Sequence, residues 1–91
     1  MASKLFKDKV AIVTGGSKGI GYGIAQSLAN NGAKVVLVAR KENVLEAAKD
    51  KITSNGGEAS YLVGDITDFP RIKNIIDSVF SENKRLDIFV N

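Results

Sequence analysis

The stretch Thr14-Gly15-Gly16-Ser17-Lys18-Gly19-Ile20-Gly21 decides the fold because of what stands on either side of it. The β-branched apolar run from Lys9 to Thr14 comes before it and is typical of a parallel strand that is buried on both faces. After it, apolar residues recur at helical spacing until Asn30-Asn31-Gly32 supplies a stop; they are Ile20, Ile24, Ala25 and Leu28. The stretch therefore predicts a strand, a glycine-rich turn and a helix in succession.

The same pattern repeats along the rest of the chain. Further strands are predicted at Lys34–Ala39, Ala59–Val63 and Leu86–Val90. Two further helices are predicted from apolar stripes, the first formed by Val44, Leu45, Ala48 and Ile52 and the second by Ile72, Ile75, Ile76, Val79 and Phe80. Asp68 is the candidate N-cap of the last helix, just before Pro70. The order βαβαβαβ with short connections predicts an α/β fold, a Rossmann-like doubly wound parallel sheet with strand order 3-2-1-4.

The composition indicates one small domain. The chain has 91 residues, of which 44% are hydrophobic and 25% charged, and this allows a single core. Cysteine and histidine are both absent, which excludes disulfides, thiol nucleophiles, imidazole bases and zinc sites built on sulfur or imidazole, so no metal site is expected. The net charge of +3 includes no cationic run, and we expect no nucleic-acid partner. With no leader-like or membrane-length apolar run, we expect a cytoplasmic protein without a membrane partner.

The glycine-rich turn is of the kind that binds a pyrophosphate. Glycines let the backbone turn tightly and approach a phosphate, and the N–H groups and dipole at the start of the following helix favour negative charge. A plain tight turn is the alternative interpretation. The strand before the turn and the helix after it favour a dinucleotide site instead.

Thr14-Gly15-x-x-x-Gly19-Ile20-Gly21 resembles the fingerprint of the short-chain dehydrogenase/reductase family, and in particular of its 3-oxoacyl-ACP reductase-like members. Two more landmarks follow in order. Asp65 stands at the end of the third strand, where the family has an acidic residue or an amide facing the adenine ring. Leu86-Asp87-Ile88-Phe89-Val90-Asn91 is similar to the start of the family's Leu-Asp-x-Leu-Val-Asn-Asn-Ala-Gly segment.

The resemblance implies a role for each matching residue. The diphosphate and ribose would be lined by Gly15, Ser17, Lys18, Gly19, Ile20 and Gly21, with Thr14 bracing the turn. Asp65 and Ile66 would border the adenine, and Asn91 would hold the central strands together beside the cofactor. For Asp65 the alternative is a purely structural role in a turn or helix cap, which aspartate performs well after a strand.

The end of the second strand indicates which dinucleotide binds. In this type of fold an acidic residue about 20 residues beyond the glycine motif binds the ribose 2′-hydroxyl of NAD. Here Ala39 holds that position, Arg40 follows it, and Lys18 adds a second cation from the glycine loop. Because a guanidinium can meet a 2′-phosphate with paired, charge-assisted hydrogen bonds, the predicted cofactor is NADP(H). The alternative is that Arg40 and Lys41 lie on a solvated basic loop.

The family's catalytic groups are expected to be missing. The resemblance implies chemistry at a Tyr-x-x-x-Lys pair with a serine and an asparagine, but Tyr22 is followed at that spacing by Gln26 and Tyr61 by Asp65, so packing is the expected role of both tyrosines. No catalytic residue is therefore assigned.

We expect residues 1–91 to be the N-terminal, NADP-binding part of a single Rossmann domain whose catalytic half is absent, so that this chain alone is inactive. The whole enzyme would transfer a hydride between NADP(H) and a carbonyl or alcohol substrate. A non-catalytic dinucleotide-binding or interaction module is the alternative. The fourth strand would form an open apolar edge, which predicts pairing between chains in a homo-oligomer or continuation in a longer protein.

Overall fold

The computed structural model describes residues 5–91 and contains the predicted alternation of strands and helices. Its elements are β1 (Val10–Thr14), α1 (Gly19–Asn30), β2 (Lys34–Ala39), α2 (Glu42–Ser54), β3 (Glu58–Val63), α3 (Phe69–Asn83) and β4 (Ile88–Val90). The largest difference from the prediction is at β4, which begins two residues later than Leu86. There the Asp87 backbone N–H donates to the Val10 carbonyl at 2.9 Å, but the Val10 N–H donates to Asp87 Oδ2, also at 2.9 Å, so a side chain replaces a backbone acceptor.

All four strands are parallel and lie in the order β3-β2-β1-β4, which confirms the predicted doubly wound topology. Val10 pairs with Lys34 at one end of β1, and Thr14 pairs with Val38 at the other. Because the strands run in the same direction, their carboxyl ends, and the loops that follow them, meet at one edge of the sheet. In such sheets ligands bind at this edge.

The sheet is covered on both faces, which explains why its central strands are not alternating in sequence. One face packs against α1 and α2 through a cluster that includes Val13, Leu37, Ala25, Leu45 and Ile52. The other face packs against α3 through Val10, Ile12, Val36, Val38, Ile75 and Val79. Each residue of these clusters is at most 5% exposed, so β1 and β2 form a rigid base for the loops beyond them.

Two apolar residues of the predicted helical patterns are exposed. Ile20 is 84% exposed because it lies in the first turn of α1, next to the glycine loop. Phe80 is 56% exposed because it follows the buried Val79 directly and one residue rotates the side chain by about 100° around a helix. Within residues 5–91, none of the helices has the length and apolar character needed to cross a membrane.

Candidate functional site

A cleft of about 440 Å³ opens at the carboxyl ends of the strands. Its walls come from three loops: Thr14 and Gly15 after β1, Val38–Arg40 at the end of β2, and Gly64–Thr67 after β3. The fold therefore brings together three predicted parts of the site that are far apart in the sequence: the glycine loop, Arg40, and the pair Asp65 and Ile66. Of these wall residues, Val38, Gly64 and Thr67 were not predicted.

A second, adjoining cavity of about 250 Å³ shares Gly15, Ala39 and Arg40 with the first. It is further lined by Ser17, Lys18, Lys41 and Val44. Three of its seven lining residues are cations and none is a carboxylate, so the cavity favours an anion. Lys41 and Val44 were not among the predicted site residues, although Lys41 could have been found as the neighbour of Arg40.

The glycine loop takes a shape that side chains would prevent. Gly15 and Gly19 have φ values of +66° and +64°, in the left-handed region that other residues seldom adopt. Gly21 serves a different purpose. A Cβ at Gly21 would collide with the backbone carbonyl of Gly15, so the absence of a side chain lets α1 pack directly against the loop. This close packing brings the start of α1 to the edge of the cleft.

The positive end of α1 has no negative partner from the helix itself. Its N-cap is Lys18, no side chain caps the first backbone N–H groups, and the first turn holds no acidic residue. By contrast, α3 is capped by Asp68, whose Oδ1 accepts the Arg71 backbone N–H at 3.1 Å, as predicted. Unsatisfied N–H groups at a helix start attract anions. The N-terminus of α1 is therefore suited to binding a phosphate group of a ligand.

Asp65 forms a turn and also lies in the cleft wall. Its Oδ1 accepts the Thr67 backbone N–H at 2.9 Å and the Thr67 hydroxyl at 2.7 Å. These hydrogen bonds, with a smaller contribution from the positive charge of Arg40, lower the pKa of the Asp65 carboxyl. The structural role in a turn is thus confirmed, and the Asp-x-Thr spacing was the sequence signal for it. Within the described chain Oδ2 makes no hydrogen bond, and the side chain remains ionised beside the cleft.

Thr14 and Asn91 meet at the other side of the site. The Thr14 hydroxyl lies 3.1 Å from the carbonyl oxygen of Val90 and 3.2 Å from Asn91 Oδ1. These contacts join β1 to β4 at their carboxyl ends. Among residues 5–91 the Thr14 hydroxyl makes no hydrogen bond to the glycine loop that it was expected to brace.

Neither tyrosine lines the cleft or the adjoining cavity. Tyr22 is partly buried against the core, with Lys51 Nζ 6.0 Å from its ring centroid. The Tyr61 hydroxyl donates to Glu42 Oε2 at 3.3 Å. Burial, and then the negative charge of Glu42, raise the pKa of Tyr61, which disfavours its use as a base. Both side chains therefore act in packing.

Comparison with known families gives a match over residues 9–91 to the short chain dehydrogenase family. The chain belongs to this family. Among curated relatives, the 3-oxoacyl-(acyl-carrier-protein) reductase FabG of Escherichia coli is 40% identical over 86 residues, which are 94% of this chain and 34% of FabG. The chain thus spans about a third of that relative's length.

Solved structures of family members share the fold. The citronellol catabolism dehydrogenase AtuB of Pseudomonas aeruginosa superposes with a TM-score of 0.94 at 36% identity, covering 100% of this chain and 38% of AtuB. A metagenomic short-chain oxidoreductase in complex with NADP gives a TM-score of 0.89 at 37% identity, covering 92% of this chain and 38% of the other. Both superpositions extend over nearly the whole of this chain, so the chain and these two proteins share the same fold.

Proposed function

We propose that this chain is the cofactor-binding part of an NADP(H)-dependent oxidoreductase. The observation that carries the proposal is the cavity lined by Lys18, Arg40 and Lys41 beside Ala39. At the position where an NAD-binding fold has a carboxylate for the ribose 2′-hydroxyl, this chain has a methyl group followed by a guanidinium. A 2′-phosphate carries up to about two negative charges, and this cavity offers it cations without a competing carboxylate.

The remaining predicted residues fit the rest of a dinucleotide. The uncapped start of α1 and the closely packed glycine loop offer backbone N–H groups to a diphosphate, with Ser17 and Lys18 in the same loop. Gly15, Gly19 and Gly21 give the loop its shape, and the exposed Ile20 offers an apolar surface beside it. Asp65 and Ile66 would border the adenine. Asn91, through Thr14, would hold β1 and β4 together beside the cofactor.

NADP(H) supplies the hydride chemistry when bound, and this chain's residues would bind and orient it. Hydride transfer to or from a carbonyl or alcohol substrate would need further groups, because no Tyr-x-x-x-Lys pair is present in the sequence. We therefore propose that the chain is the N-terminal part of a Rossmann domain and does not catalyse the reaction alone. A solved complex with NADPH and L-sorbose of the L-sorbose reductase of Gluconobacter frateurii, 34% identical to this chain, supports a small carbonyl substrate for the whole enzyme.

A non-catalytic dinucleotide-binding module is the second candidate. Neither tyrosine lines the cleft, so the described residues account for dinucleotide binding alone, and the fold is compatible with such a module. Reading the coding sequence beyond Asn91 separates the two. An Asn-Ala-Gly segment followed by a serine and Tyr-x-x-x-Lys supports the enzyme, and a stop codon at that point supports the module.

Replacement of Arg40 by alanine tests the choice of cofactor. Loss of charge-assisted hydrogen bonds of about 1.5–3 kcal/mol should weaken NADPH binding by about ten- to a hundredfold. NADH lacks the 2′-phosphate, and its dissociation constant should change by less than about twofold. Lys49→Ala is the control, since Lys49 lies on α2 and lines neither cavity. An equal loss for NADPH and NADH would contradict the assignment.

A further inference from the structure

Arg71 makes an unusual contact at the end of the edge strand β3. Its Nε and Nη2 both donate to the carbonyl oxygen of Val63, at 3.1 and 2.9 Å. The C=O and N–H of one peptide unit point in opposite directions, and the Gly64 N–H faces β2, where it donates to the Ala39 carbonyl at 2.9 Å. The Val63 carbonyl therefore faces the open edge of the sheet, where no strand of residues 5–91 pairs with it. The guanidinium of Arg71 donates the hydrogen bonds that a neighbouring strand would otherwise donate to this carbonyl.

This contact closes the loop that forms one wall of the cleft. Val63 ends β3, and Arg71 lies in the first turn of α3, so the guanidinium joins the two ends of the segment 64–68. The backbone N–H of Arg71 also donates to Asp68 Oδ1 at 3.1 Å. The loop is closed internally as well, since the Asp68 N–H donates to the Asp65 carbonyl at 2.9 Å.

The stem of Arg71 also packs against the loop. A Cβ placed on Gly64 would lie 3.4 Å from Arg71 Cγ and 2.9 Å from Ile75 Cδ1, so these side chains fill the space beside the Gly64 backbone. Yet Arg71 itself does not line the cleft, whereas Gly64, Asp65, Ile66 and Thr67 do. Any effect of Arg71 on a ligand must therefore pass through the loop.

We propose that Arg71 is a positioning residue that fixes the loop at residues 64–67 and thereby determines how Asp65 meets the adenine. Asp65 Oδ1 is already engaged by Thr67, and the position of Oδ2 depends on the path of the backbone that Arg71 holds. A carboxylate oxygen accepts a hydrogen bond from the exocyclic amine of adenine and repels a carbonyl oxygen in the same place. The loop held by Arg71 selects adenine over hypoxanthine.

The inference rests on the proposed function, because it requires that a dinucleotide occupies the cleft. The test compares the affinity of this chain for NADP⁺ with its affinity for the hypoxanthine analogue of NADP⁺, by calorimetric titration. The variants are Arg71→Met, Arg71→Lys and, as a control, Lys73→Met. Lys73 lies on the same helix and pairs with Asp77 at 2.8 Å, and its replacement removes the same charge without touching the loop.

Arg71→Met should weaken NADP⁺ binding by about three- to tenfold and reduce the preference for NADP⁺ over the hypoxanthine analogue by a similar factor. Arg71→Lys keeps the positive charge and can still donate a hydrogen bond to the Val63 carbonyl. Its preference for NADP⁺ over the hypoxanthine analogue should lie between those of Arg71→Met and the wild type. Lys73→Met should match the wild type. An Arg71→Met chain with an unchanged preference would overturn the proposal, including the case in which both ligands weaken equally, because that result indicates a purely structural role.

Hydrogen exchange separates this failure from a failure of the proposed function. The Thr67 and Asp68 amides donate within the loop and should exchange faster in Arg71→Met than in Lys73→Met. If the wild-type chain binds neither ligand, the proposed function fails, but faster exchange at these amides would still support the role of Arg71 in holding the loop. If Arg71→Met does not fold, Arg71→Lys carries the comparison, and an unchanged preference and unchanged exchange in it would overturn the inference.

Discussion

Gly21 and Gly23 lie two residues apart on α1 and should respond to alanine in opposite directions. A Cβ at Gly21 would collide with the Gly15 carbonyl and lie 2.8 Å from its carbon, whereas a Cβ at Gly23 meets nothing within 4 Å. Each substitution gains up to about 1 kcal/mol of helix propensity. Only Gly21→Ala adds overpacking against backbone, which costs about 1–3 kcal/mol. The difference between the two variants therefore isolates the steric effect.

Thermal unfolding followed by circular dichroism measures this difference. In a chain of this length about 1 kcal/mol corresponds to about 4–8 °C in Tm. Gly23→Ala should be more stable than the wild type, and Gly21→Ala should melt at least about 4 °C below Gly23→Ala. Gly21→Ala should also lose affinity for NADP⁺, because the loop must open to make room. Equal Tm values for the two variants would refute the view that Gly21 is needed for close packing of α1 on the loop.

Two other positions give predictions about stability. The pKa of the Asp87 carboxyl is lowered to about 2, first by the Arg85 guanidinium and then by the Val10 N–H. Because its unfolded value is about 3.9, its contribution to stability is present above about pH 4 and is lost as the pH falls towards 2. Urea midpoints measured from pH 6 to pH 2 should therefore fall less steeply in Asp87→Asn than in the wild type, and parallel curves would contradict this. Asp68→Ala removes the N-cap of α3 and should lower the free energy of unfolding by about 0.5–2 kcal/mol. Asp77→Ala on the same helix loses only an exposed ion pair and should change it by less than about 1 kcal/mol, so equal losses would argue against the cap.

The parallel sheet could be predicted because β1 and β2 are buried on both faces, and its strand order followed from the βαβαβαβ pattern with short connections. The continuous apolar runs of these two strands differ from the alternation of a one-sided sheet, and the glycine turn between β1 and α1 fixed the start of the pattern. The exposure of Ile20 and Phe80 could not be predicted in the same way. Helical spacing identifies an apolar stripe but not its edges: Ile20 lies in the first turn of α1, and Phe80 is rotated by about 100° from the buried Val79.

Site residues could be predicted from the sequence where their role depends on neighbouring residues in the chain. They could not be predicted where the role depends on tertiary contacts. Ala39 followed by Arg40 at the end of β2 predicted a site for a 2′-phosphate, and Asp68 before Pro70 predicted the N-cap of α3. The contact between Arg71 and the Val63 carbonyl depends on how the start of α3 lies beside the edge strand β3, which the predicted strand order alone does not give. Lys41 was recognisable as the neighbour of Arg40, but its sharing of one cavity with Lys18 depends on the approach of two loops whose lysines are 23 positions apart in sequence.

Titration of the ¹⁵N-labelled chain with NADP⁺ and with NAD⁺, followed by NMR, tests the central claim most directly. The proposed site predicts saturable shifts at the amides of Gly15–Gly21, Arg40 and Asp65–Ile66, with tighter binding of NADP⁺ than of NAD⁺. Shifts confined to other residues, or equal affinities for the two dinucleotides, would contradict the claim that the three cations beside Ala39 form a 2′-phosphate site.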